Sequence, residues 1–102
     1  MQQFDLATYE QKINEDKLTV VKYAASWCGP CRTLTPIMED VIKNYPDINA
    51  GEVDIDRNMV LAQRDGIRGV PTVVFYKNGK LLDKMVGLSP AQVYQAKIDS
   101  LK

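Results

Sequence analysis

L-T-V-V-K-Y-A-A-S-W-C-G-P-C-R-T-L-T-P-I, residues 18–37, decides the fold. Leu18 to Ala25 is apolar or β-branched except at Lys22, which suits a strand covered on both faces at the centre of a sheet. Beyond it, Leu34, Ile37, Met38, Val41, Ile42 and Tyr45 recur at helical spacing from Gly29 to Asn44, and Pro46 closes the segment. Pro36 falls inside this helix, where its ring crowds the preceding turn and a kink is expected. The segment thus reads as strand, short junction and helix, with both cysteines of the chain, Cys28 and Cys31, at the junction.

The flanking sequence continues the alternation. Met1 to Leu6 reads as a short strand, and Thr8 to Asn14 as a helix with capping-box spacing between Thr8 and Gln11. Ala50 to Ile55 reads as a second buried strand, and Met59 to Asp65 as a helix ended by Gly66. Thr72 to Lys77 and Lys80 to Val86 flank Asn78-Gly79, a strong signal for an antiparallel hairpin. Ser89 as N-cap and Pro90 in the first helical position open a last helix with the stripe Ala91, Tyr94, Ile98 and Leu101. The class is α/β, with a central mixed sheet of about five strands flanked by four helices.

The 102 residues are 45% apolar and carry no linker or repeat, which predicts one domain over residues 1–102. Lysine plus arginine and aspartate plus glutamate both number 13, so no net field draws the chain to nucleic acid or a membrane surface. M-Q-Q-F-D-L resembles no secretory signal, and no window is long and apolar enough to span a bilayer. A cytoplasmic monomer is expected.

Two cysteines three positions apart close too short a loop to staple a fold. Zinc would need about four ligands, and the chain offers two thiols and no histidine. Inert core thiols are a further alternative, but this pair brackets Gly29-Pro30 at a strand-to-helix junction instead of lying on an apolar stripe. On a helix such residues lie roughly 5–6 Å apart at Cβ, close enough to bridge reversibly. Cys28 stands beside unpaired N–H groups and the positive end of the helix dipole, which favours thiolate. It suits the attacking nucleophile, and Cys31 the resolving thiol. Pro30 occupies the first turn without wasting a donor.

W-C-G-P-C, Trp27 to Cys31, resembles the thioredoxin family, as do V-D-I-D-R-N and G-I-R-G-V-P-T-V-V-F-Y-K-N-G in order and spacing. The resemblance implies a thioredoxin fold and reduction of disulfides in substrate proteins, with no cofactor bound by the chain itself. Electrons would come from NADPH through a flavin-dependent thioredoxin reductase. It also implies that Pro71 is cis, and that the Val70 backbone pairs with an extended substrate segment. Trp27, Gly29, Pro30, Val70 and Gly87 would form the docking patch. On residue type alone, ordinary loop packing is an alternative for Val70 and Gly87, and core is the commoner place for Trp27.

One departure stands out. Family members usually carry a buried aspartate six residues before the first cysteine and a lysine on the adjacent strand, whereas this chain has Lys22 and Glu52 there. A buried lysine needs a partner, and Glu52 is the natural one. Glu52 could accept the Cys31 proton while Lys22 orients it and favours thiolate, or Lys22 could itself be the base. A purely structural pair, or a Lys22 that snorkels to solvent, is the third reading. Two other functions share the sequence. The dithiol could be poised as an oxidase or isomerase, or the fold could be a non-catalytic binding adaptor.

Overall fold

A computed structural model describes residues 1–102. Its elements run α1 (Leu6–Ile13), β1 (Thr19–Ala24), α2 (Gly29–Ile42), β2 (Asn49–Asp54), α3 (Met59–Arg64), β3 (Thr72–Lys77), β4 (Lys80–Val86) and α4 (Ala91–Leu101). The sheet order is β2-β1-β3-β4. β1 pairs parallel with β2 through the α2 crossover and antiparallel with β3, and β3 pairs antiparallel with β4. β1 is therefore central, as its unbroken burial requires. The β3–β4 turn has positive φ at both Asn78 (53°) and Gly79 (77°), the backbone a two-residue hairpin needs to match strand twist.

Period-two alternation along β1 divides the interior. Val21 and Tyr23 pack with Phe4, Tyr9, Val53, Leu61, Val74 and Tyr76 on the side of α1 and α3. Val20 packs with Leu34, Met38, Val73, Phe75, Tyr94 and Ile98 on the side of α2 and α4. Lys22 has the parity of Val20 and so points toward α2.

Within the first half-core the hydroxyls of Tyr9 and Tyr23 donate to Asp65 Oδ2, and that of Tyr76 to Asp65 Oδ1; the Tyr23 bond is 2.6 Å. Burial, and then the bond to the Asp65 carboxylate, pushes the Tyr76 phenol up to about 12. The same two causes raise the phenols of Tyr9 and Tyr23 further.

Four expectations are corrected. Met1–Leu6 is not a strand: Gln3 makes a single parallel bridge to Glu52, with Phe4 N and Glu52 N each donating 2.8 Å bonds across it, so the sheet has four strands. The cause is Asp5, which caps α1 by accepting from Thr8 N at 2.9 Å and turns the chain into helix before a ladder can grow. That also moves the cap from Thr8 to Asp5. β2 is a half-buried edge strand, because nothing pairs beyond it except this bridge. At α4, Pro90 itself is the N-cap, in extended backbone (φ −65°, ψ 158°), and Ser89 makes no side-chain cap; its N–H donates to Tyr94 OH at 3.2 Å.

Phe4 is anchored over Gly51, where a Cβ would overlap its ring. Gly51→Ala is expected to lower stability by about 1–3 kcal/mol through overpacking. A urea titration monitored by circular dichroism would show this as a lower midpoint with unchanged slope.

Candidate active site

The site lies where β1 runs out and α2 begins. Cys28 is the N-cap of α2 in extended backbone (φ −94°, ψ 110°), and its Sγ accepts from Cys31 N at 3.2 Å. A sulfur in the capping position faces the unpaired N–H groups and positive dipole end that stabilise its anion. Cys28 and Cys31 are joined as a disulfide, with Cα atoms 5.3 Å apart. Cys28 is 5% exposed and Cys31 2%, so the first sulfur is the more approachable.

Three strand ends meet over Cys28. The Val70-Pro71 bond is cis, and Val70 O lies 3.7 Å from Cys28 Sγ. Gly87, at φ 88°, donates its N–H to Pro71 O at 2.8 Å and so ties the end of β4 to this loop. Positive φ is a backbone region where glycine alone is unstrained. Trp27, next to Cys28, is 66% exposed, and Val86 and Leu88 are exposed on either side of Gly87. Trp27 is therefore surface and not core. Its indole N–H donates to Asp56 Oδ2 at 3.0 Å. Nothing in the sequence singles out Asp56: it lies within V-D-I-D-R-N, and no spacing rule links it to Trp27.

Behind the disulfide lies the exchanged ion pair. Lys22 and Glu52 face each other in the parallel β1–β2 register, and Lys22 Nζ stands 3.0 Å from Glu52 Oε1. Lys22 is 1% exposed and does not snorkel. Its Nζ also donates to Cys31 O at 2.7 Å and to Thr35 Oγ1. Glu52 Oε2 accepts from Gln3 Nε2 at 2.6 Å, so the N-terminal bridge orients the carboxylate. The pair floors an open groove of ≈ 460 Å³, lined also by Ser26, Cys31, Arg32 and Asp54. The structure thus brings Trp27, Cys28, Gly29, Pro30, Val70, Pro71 and Gly87 to one face, with Lys22 and Glu52 behind Cys31. No cluster of three or more His, Cys, Asp or Glu is arranged to hold a metal, and no helix is long and apolar enough to cross a membrane.

The thioredoxin family model matches residues 1–100. Thioredoxin-1 of Saccharomyces cerevisiae is 38% identical over 95 residues, covering 92% of each chain. Thioredoxin H1 of Arabidopsis thaliana is 46% identical over 78 residues, covering 76% of this chain and 68% of that one. The structure of Fasciola hepatica thioredoxin superposes with a TM-score of 0.92 at 33% identity, covering all of both chains. Likeness of this extent, centred on a vicinal cysteine pair at a helix N-terminus, is more than a shared architecture. The chain therefore belongs to the thioredoxin family and is a thiol–disulfide oxidoreductase.

Proposed function

We propose that the chain works in the reducing direction on disulfides of other proteins, with Cys28 attacking and Cys31 resolving. The observation that carries this is the capping position of Cys28 Sγ, 3.2 Å from Cys31 N, beside the exposed Trp27. In the reduced protein, the Cys28 thiolate attacks one substrate sulfur, and the other leaves as a thiolate that takes a proton from solvent. The Cys31 thiolate then attacks Cys28 Sγ and expels the second substrate sulfur, leaving the Cys28–Cys31 disulfide. A reductase returns two electrons, drawn from NADPH, to complete the cycle.

Docking is the role of the front face. An extended substrate segment can add to the free edge of the Val70 backbone, while Trp27, Gly29, Pro30 and Gly87 contact its side chains. At the back, Glu52 receives the Cys31 proton, directly or through water in the groove, and Lys22 orients it. The unit is read as a cytoplasmic monomer of one domain.

The test is NADPH-coupled insulin reduction with a thioredoxin reductase, together with the redox potential from glutathione titration. Turnover with a reducing potential supports the reading; a reduced form resistant to oxidation by insulin, or a strongly oxidising potential, overturns it in favour of an oxidase. Trp27→Ala is expected to raise KM for insulin by about 5- to 10-fold, the effect of losing one aromatic anchor. Reduction of a small aromatic disulfide, which needs no docking face, gives the reference rate.

A further inference from the structure

The Lys22 amine is surrounded by three oxygens, one for each proton of an ammonium. They are Cys31 O at 2.7 Å, Glu52 Oε1 at 3.0 Å and Thr35 Oγ1. The Thr35 hydroxyl can donate its single proton to Cys31 O, 3.2 Å away, while accepting from Lys22. A neutral amine, with two protons and a lone pair, matches three acceptors less well than an ammonium does. Three acceptors around Nζ match the three N–H bonds of an ammonium and hold it in place. This arrangement suits Lys22 as a fixed charge and not as the base for Cys31.

What remains for Lys22 is a fixed charge, and its position depends on Thr35. That residue stands one turn beyond Cys31 on α2, so its hydroxyl reaches both the Cys31 carbonyl and the ammonium. Glu52 balances the charge from β2, but only the ammonium is bonded to the residue that carries the resolving sulfur. The other charged groups along the groove are Arg32 on α2 and Asp54 on β2. Arg32 Nη1 is engaged with Ser26 O at 2.8 Å, and Asp54 Oδ1 accepts from Asp56 N at 2.9 Å.

We propose that Thr35 is a positioning residue of the reaction: its hydroxyl holds the Lys22 ammonium against the Cys31 carbonyl, so that the resolving thiolate forms beside a fixed buried cation. This rests on the reading of Cys31 as the resolving thiol. Removing the hydroxyl leaves one N–H of a buried ammonium without an acceptor, which drives the amine to lose its proton or swing toward the groove. Either change weakens the field at Cys31, and resolution then needs a higher pH.

The experiment mixes reduced protein with 5,5′-dithiobis(2-nitrobenzoate) in a stopped-flow instrument across pH. The first thionitrobenzoate is released when Cys28 attacks, and the second when Cys31 displaces it from Cys28, so the two steps are read separately. Thr35→Val is expected to slow the second release about 3- to 10-fold at pH 7 and to move its pH midpoint upward by as much as ~1 unit, the scale of a lost neighbouring charge. Thr35→Ser, which keeps the hydroxyl, restores the wild-type profile. In a Lys22→Met background the Thr35→Val effect disappears, because the hydroxyl acts only through Lys22. Should Thr35→Val fold poorly by circular dichroism, Thr35→Ala takes its place. Identical profiles for wild type and the folded hydroxyl-less variant, or equal slowing in the Lys22→Met background, overturn the proposal. A wild-type protein that never releases the second equivalent instead overturns the role of Cys31 itself.

Discussion

Cys28→Ser is expected to lower insulin reduction by roughly 1,000-fold or more, since a serine hydroxyl stays protonated near neutral pH and cannot form the sulfur–sulfur bond that carries the electrons. Cys31→Ser is expected to fail differently. Its Cys28 still sits at the α2 N-terminus and attacks, but no second thiolate displaces the substrate, so a mixed disulfide accumulates. Mass spectrometry of each variant after exposure to oxidised substrate separates the two: the Cys31→Ser chain gains the mass of one substrate thiol and the Cys28→Ser chain stays bare. The reverse pattern would exchange the roles. The order of exposure, 5% against 2%, and the Cys31 N–H donated to Cys28 Sγ both argue for Cys28 as the attacking sulfur.

Asp65→Ala is expected to cost about 3–5 kcal/mol of stability, because three buried hydroxyls lose their shared acceptor at once. Tyr23 retains a bond to Leu61 O at 3.2 Å, whereas Tyr9 and Tyr76 are left with only one another's and Tyr23's hydroxyls. Urea titration measures the loss. Combining Asp65→Leu with Tyr→Phe at positions 9, 23 and 76 should recover much of it, since removing donors together with their acceptor leaves nothing unsatisfied. If the quadruple variant were as unstable as Asp65→Ala, lost packing and not lost hydrogen bonding would be the cause.

The same cluster sets the alkaline limit. A phenol whose ionisation is raised by folding contributes stability that is complete below its ordinary value of 10.0 and is lost as the pH climbs through the folded value, about 12 for Tyr76 and above that for Tyr9 and Tyr23. Absorbance at 295 nm should therefore show these tyrosines ionising late and together with the loss of circular dichroism. Ionisation of all five tyrosines near pH 10 with the fold intact would contradict the buried cluster.

Local patterns were readable wherever the cause was local. The α2 stripe, the Asn78-Gly79 turn and the unbroken apolar run of β1 each depend on neighbours within a few residues, and each lies where expected. Gly66, at φ 66° just beyond α3, is a further instance. The start of α1 differs because the Thr8–Gln11 spacing suggests a cap that Asp5 supplies in the fold, and only the pairing of Gln3 with Glu52 shows how little strand precedes the helix. The Lys22–Glu52 exchange could be paired from sequence, through the resemblance and the cost of burying a lone charge. Thr35 could not, because a threonine four residues beyond a cysteine is unremarkable until Lys22 is brought beneath it. Asp56 under Trp27 was hidden for the same reason.

By itself, then, the sequence determined the order of elements, the dithiol and the chemistry its spacing permits, because helix period, strand alternation and turn geometry are written over short distances. Only the tertiary structure decided which distant groups share an environment. Asp65 meets phenols 56, 42 and 11 positions away, and Lys22 meets Cys31 and Thr35 from the neighbouring helix. Such meetings depend on how the sheet registers and how α1, α2 and α3 pack on it. A buried polar group takes whatever partner that packing supplies, and no one-dimensional spacing encodes it.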